Sequence, residues 1–183
     1  MTSTNNVEKS KPHRPPALPI VPPLSFQLVV TGVYRSGYPL QINYPMLERL
    51  NLKTIIYLGD STYREETTEW CKTNNITLHH FHSPTVKEPF VSTDPETITE
   101  ALLILLDKRN YPVLVHSNKG KHRVGVLVGC MRRVLMGWGL AATNAEYGRY
   151  SGEKGEADLE FIELFNPKLD YDKEFAPDWL RSQ

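Results

Sequence analysis

The chain has little cysteine, no excess of either charge and no long apolar run. Among its 183 residues only Cys71 and Cys130 carry thiols. Two cysteines so far apart provide neither a disulfide framework nor metal-ligand spacing. The expectation is two buried, reduced thiols, with no metal site and no cofactor. Basic and acidic residues number 21 each, so the formal net charge is zero. That balance leaves no global footprint for nucleic acid, and any anion site must come from charge placed locally. The longest apolar stretch, at 124–131, is too short to span a bilayer. The first residues also lack the apolar centre of a secretory signal. The expected setting is cytoplasmic, or else nuclear, with no membrane and no nucleic-acid partner.

What is present suits one soluble domain. Hydrophobic residues make up 40% and charged residues 23% of the chain, which is ordinary for a globular protein with one core. Residues 1–24 read as a proline-rich tail, because Pro12, Pro15, Pro16, Pro19, Pro22 and Pro23 interrupt any helix. A plain extended linker is expected there, with a PxxP ligand as the alternative. The folded domain is expected over 25–166, followed by a polar and aromatic tail at 167–183.

Within the domain, 26–30 and 33–36 read as short strands around the turn Thr31-Gly32. The run Thr54-Ile55-Ile56-Tyr57-Leu58 suits a strand covered on both faces. Residues 62–74 read as a surface helix and 76–81 as a strand. Asp94 followed by Pro95 is a helix start. Ile98, Ala101, Leu102, Leu105 and Leu106 then recur at helical spacing. Val113-Leu114-Val115-His116 reads as a buried strand, and 123–136 as a mostly apolar helix. Further helices are expected at 140–150 and 157–165. Strands alternating with helices predict an α/β domain with a central, mostly parallel sheet flanked by helices.

The chemistry concentrates at one junction, His116-Ser117-Asn118-Lys119-Gly120-Lys121-His122-Arg123-Val124-Gly125. A loop that leaves a buried strand and opens a helix gathers unpaired amide hydrogens, and the helix dipole adds positive potential. Lys119, Lys121, His122 and Arg123 add cationic side chains, and Gly120 accepts backbone angles that other residues resist. The planar fork of Arg123 can hold two phosphate oxygens. A solvated loop would explain the charge but not its position directly after a buried strand.

Ser117 and Arg123 have the spacing of His-Cys-x5-Arg, and the string resembles the signature of tyrosine and dual-specificity phosphatases. Gly120-Lys121-His122-Arg123 before Val124-Gly125 is similar to the plant and fungal atypical dual-specificity group. That group includes inositol-pyrophosphate phosphatases and the fungal oxidant-induced cell-cycle-arrest proteins. The segments Val21-Pro22-Pro23-Leu24-Ser25-Phe26, Val33-Tyr34-Arg35-Ser36-Gly37-Tyr38-Pro39 and Leu52-Lys53-Thr54-Ile55-Ile56-Tyr57-Leu58 resemble the same group. So do Lys87-Glu88-Pro89-Phe90-Val91 and Asp158-Leu159-Glu160-Phe161-Ile162, and the resemblance covers about 21–166.

The resemblance implies the cysteine-dependent phosphatase fold. It also implies a phosphate site formed by Arg123, by the amides of Ser117 to Arg123, and by the loop residues Asn118, Lys119, Gly120, Lys121 and His122. Lys87 would reach substrate phosphates, and Asp94 is a candidate general acid, with a helix N-cap as its competing reading. Arg35 is expected to form a structural ion pair, with contact to an anion as the alternative. The partners implied are a phosphorylated small molecule or phosphoprotein, and related phosphatase-like subunits.

Two positions depart from that pattern. Ser117 stands where the nucleophilic cysteine belongs. A thiol near pKa 8.5 is readily ionised in positive surroundings, whereas a serine nucleophile needs a partner base. Val124 stands where the group commonly has Thr or Ser, whose hydroxyl assists the nucleophile. The two changes together favour a natural pseudophosphatase. The alternative is an active phosphatase whose cysteine was replaced by design to trap substrate. In either case serine is neutral, so the repulsion between thiolate and phosphate dianion is gone.

Overall fold

The structure is a computed structural model, and it describes residues 20–83, 93–152 and 155–180. Five strands form one sheet in the order β1-β2-β5-β3-β4. They are β1 (Gln27–Val30), β2 (Val33–Ser36), β3 (Thr54–Gly59), β4 (Thr77–His82) and β5 (Val113–His116). β1 and β2 form an antiparallel hairpin, and the remaining pairs are parallel. Six helices accompany the sheet among the described residues: α1 (Tyr44–Glu48), α2 (Glu65–Thr73), α3 (Pro95–Leu105), α4 (His122–Cys130), α5 (Leu140–Ser151) and α6 (Glu156–Leu164). A π-helical turn, Met131–Leu135, continues α4. This is the mostly parallel, helix-flanked sheet that the alternation of elements predicts.

The strand period of two sorts the core onto two faces. On β3, Ile56 and Leu58 enter one cluster with Leu102, Leu127 and Met131, whereas Ile55 and Tyr57 enter another with Leu47, Trp70 and Cys71. On β5, Val113 and Val115 join the first cluster and Leu114 the second. All of β3 and β5 is buried, which is why both read as continuous apolar runs. Each such side chain contributes about 1.5–3 kcal/mol on burial.

α4 is buried from Val124 to Cys130. Its Gly129 faces Ile162 of α6 so closely that an added Cβ would lie 2.6 Å from that side chain. The small residue therefore sets how near α6 can approach. Both thiols are buried and free, and burial raises their pKa, to about 11 for Cys71.

The segment after Pro167 differs from a polar tail. Leu169, Tyr171, Trp179 and Leu180 pack against the larger core cluster, and Lys173–Phe175 forms a 3-10 turn. Its aromatic residues are spaced without helix or strand periodicity, so their burial left no periodic signal. The 1–19 part of the proline-rich tail lies outside the described residues.

Candidate active site

β5 lies at the centre of the sheet, and its carboxyl end is flanked by the ends of β2 and β3: Ser36 and Tyr57 both pair with His116. In parallel α/β sheets this end is where ligands bind. The loop at 117–121 leaves β5 there and enters α4 at His122.

The loop is fastened to the turn after β2. Ser117 N donates to Ser36 O (3.4 Å), and Tyr38 N donates to Asn118 O (3.2 Å). Gly120 has φ +69°, and a Cβ there would fall 2.5 Å from the Gly37 amide nitrogen. No other L-residue fits without moving backbone. The Gly120 amide turns inward and donates to Ser117 Oγ at 3.1 Å. Among the described residues, the amides of Asn118, Lys119, Lys121, His122 and Arg123 have no protein acceptor, and no side chain caps α4. These are donors of the kind a bound oxyanion satisfies.

Each predicted site residue other than Lys87 has a definite place. Ser117 is buried at the loop's start. Asn118 and Lys119 are exposed, as is Lys121, whereas Gly120 is buried. Asn118 Oδ1 accepts from the Tyr57 hydroxyl at 2.9 Å, which ties the loop to β3. Arg123 Nη1 donates to Ser83 O at 2.9 Å and lies 3.5 Å from Asp60 Oδ1. Its Nε and Nη2 edge has no acceptor among the described residues.

His122 is turned toward α5 and α6. Its Nδ1 lies 2.9 Å from the Tyr147 hydroxyl and 3.2 Å from Asp158 Oδ2, and Tyr147 donates to the same carboxylate oxygen. Burial, reinforced by that bond, raises the Tyr147 pKa. The His122 ring is thus engaged away from Ser117. Val124 is fully buried within the larger cluster.

Asp94 is corrected. Its carboxylate caps α3, accepting from Glu96 N (3.2 Å), Thr97 N (3.0 Å) and the Thr97 hydroxyl (2.8 Å). The Thr97 side-chain and backbone bonds hold its pKa below the usual carboxylate range. Lys87 lies outside the described residues.

His116 is completely buried, with its Nε2 3.0 Å from the Tyr63 hydroxyl. Tyr57 stacks on it at 4.9 Å, and Tyr38 meets it edge-on at 5.2 Å. Burial drives its pKa down to about 3, and His80 adds to that effect. It is therefore a neutral structural residue, as its strand position implies.

Three contributors escaped sequence reasoning. Asp60 follows β3 at the same sheet edge and reaches Arg123. Its position just past the carboxyl end of a parallel strand was the available signal. Asp158, paired with Tyr147, holds His122. Arg35 was expected in an ion pair. Instead its Nη2 donates to Gly120 O at 2.9 Å, and its guanidinium lies 3.6 Å above the Tyr150 ring.

Comparison with known proteins agrees with this geometry. The chain is 44% identical over 147 residues to inositol diphosphatase DSP4 of Arabidopsis thaliana, covering 80% of this chain and 74% of that protein. It is 41% identical over 167 residues to the tyrosine-protein phosphatase-like protein OCA2 of Saccharomyces cerevisiae, covering 88% and 83%. The catalytic domain of the PP-IP phosphatase SIW14 from S. cerevisiae, solved with citrate, superposes with a TM-score of 0.75 at 38% identity, covering 81% of this chain and 89% of that one. Residues 20–183 match the tyrosine phosphatase family. With the sheet, the loop after its central strand and these relatives in agreement, the chain belongs to that family.

Proposed function

We propose that this chain holds phosphorylated ligands, inositol pyrophosphates among them, in the loop from Ser117 to Arg123 and turns them over very slowly or not at all. The observation that carries this is the state of Ser117. Its Oγ accepts a hydrogen bond from Gly120 N, and among the described residues no base receives its proton. His116 is neutral, buried and bound to Tyr63, and His122 is bound to Tyr147 and Asp158. A serine nucleophile without a base attacks poorly.

Binding does not need that attack. The inward amides, the dipole of α4 and the Nε and Nη2 edge of Arg123 supply charge-assisted donors. Asn118, Lys119, Gly120, Lys121 and His122 would contribute through their backbone, with Lys119 and Lys121 adding exposed charge. Lys87 would reach outer phosphates. The relatives named as inositol diphosphatases and as a PP-IP phosphatase support this ligand class. A chain that binds without turnover suits a regulatory or scaffold role beside related phosphatase-like subunits in the cytoplasm.

The test is phosphate release from an aryl phosphate and an inositol pyrophosphate, comparing this chain with Ser117→Cys. The expected result is turnover in the cysteine variant alone. Comparable turnover by the serine form would contradict the proposal.

A further inference from the structure

Arg35 approaches the loop from β2 and is 2% exposed. Its Nη2 donates to Gly120 O at 2.9 Å and lies 3.5 Å from Lys121 O. The guanidinium rests 3.6 Å over the Tyr150 ring of α5. Among the described residues, no carboxylate lies within ion-pair distance of it. Burial lowers its pKa from the ordinary arginine value, while Tyr150 and Glu146 act in the opposite direction. Arginine remains charged at neutral pH. A buried cation without a paired carboxylate is unfavourable for stability alone.

Peptide geometry gives this cation a task. In a planar trans peptide the carbonyl and the following N–H point in opposite directions. With the Gly120 carbonyl held by Arg35, the Lys121 amide points away from Arg35. The Lys121 carbonyl accepts from Gly125 N at 2.7 Å, so the direction of the His122 amide is set by α4 itself. The Gly120 amide already points at Ser117 Oγ, which marks the loop's centre.

We propose that Arg35 is the positioning residue of the anion loop. Its Nη2 holds the Gly120 carbonyl outward and so turns the Lys121 amide toward the centre. Its unneutralised charge also strengthens attraction for phosphate. This role rests on the reading of the loop as an anion site, and it assigns Arg35 no contact with the ligand. The Tyr150 ring keeps the guanidinium plane in register.

The test is calorimetric titration of the full chain with inorganic phosphate, alongside amide NMR of Lys121. The proteins compared are wild type, Arg35→Met, Arg35→Lys and Tyr150→Leu. Arg35→Met is expected to weaken phosphate at least tenfold and to abolish the phosphate-induced shift of the Lys121 amide. Arg35→Lys keeps the charge but loses the planar guanidinium that rests on Tyr150, and should recover only part of the affinity. Tyr150→Leu, at a partly exposed position outside both core clusters, should weaken binding a few fold in the same direction. Affinity within twofold of wild type in folded Arg35→Met overturns the proposal. Should that variant not fold, unchanged affinity in Tyr150→Leu does the same. Full recovery by Arg35→Lys overturns the role of the planar guanidinium. A wild-type chain that does not bind phosphate overturns the anion-site reading and this role with it, whereas equal binding by all four proteins removes Arg35 alone.

Discussion

The two ends of the loop rest on unlike supports. At its start, His116 is neutral and buried among Tyr38, Tyr57 and Tyr63. At its end, Gly120 and Lys121 rest on the buried cation Arg35, and Arg123 is braced by Ser83 and Asp60. The aromatic end fixes position and contributes no charge. The cationic end orients amides and supplies potential. Shape and electrostatics can therefore be disrupted separately, and variants at the two ends should fail in different ways.

The largest effect is expected where both ends meet. Gly120→Ala combines a left-handed backbone angle with overlap against Ser36 and Gly37. It should cost roughly 3–5 kcal/mol of stability and abolish phosphate binding. Denaturant midpoints and a phosphate titration would measure both losses.

The aromatic end predicts a pH signature. His116 titrates near 3 when folded, against about 6.5 in an unfolded chain. The unfolded chain takes up the proton first as pH falls. Stability should therefore be independent of this group above about pH 6.5 and decline below it, by up to about 1.4 kcal/mol per unit, until about pH 3. His116→Gln should flatten that slope in chemical denaturation across the window. A slope unchanged by the substitution would place the titrating group elsewhere.

The cationic end predicts a ligand signature. Phosphate at 100-fold its dissociation constant should stabilise the wild-type chain by roughly 2.7 kcal/mol. Arg123→Ala should remove most of that gain, since each charge-assisted bond contributes about 1.5–3 kcal/mol. Thermal unfolding with and without phosphate distinguishes the two proteins. Tyr57→Phe is the mildest change. Losing the bond to Asn118 should cost about 1 kcal/mol and leave the pH slope intact, as denaturant unfolding at several pH values would show.

Much of this was legible in the sequence because it is local. The runs at β3 and β5, the Asp94-Pro95 start of α3 and the glycine and arginine of the loop carry their signals within a few neighbours. What escaped depends on residues far apart in the chain. Arg35 meets Gly120 only because β2 pairs with β5 in that register, so no local pattern distinguished a loop carbonyl from a carboxylate partner. His122 turns from the site because Asp158 and Tyr147 converge on it from two helices. Asp94 illustrates the converse. Its capping signal was local and sufficient.

A single 31P NMR time course on the unmodified chain with an inositol pyrophosphate addresses binding and turnover together. Ligand resonances that shift or broaden while inorganic phosphate stays at the no-protein level are the predicted result. Unperturbed ligand resonances, or inorganic phosphate accumulating as fast as with Ser117→Cys, would contradict a cradle that binds without attacking.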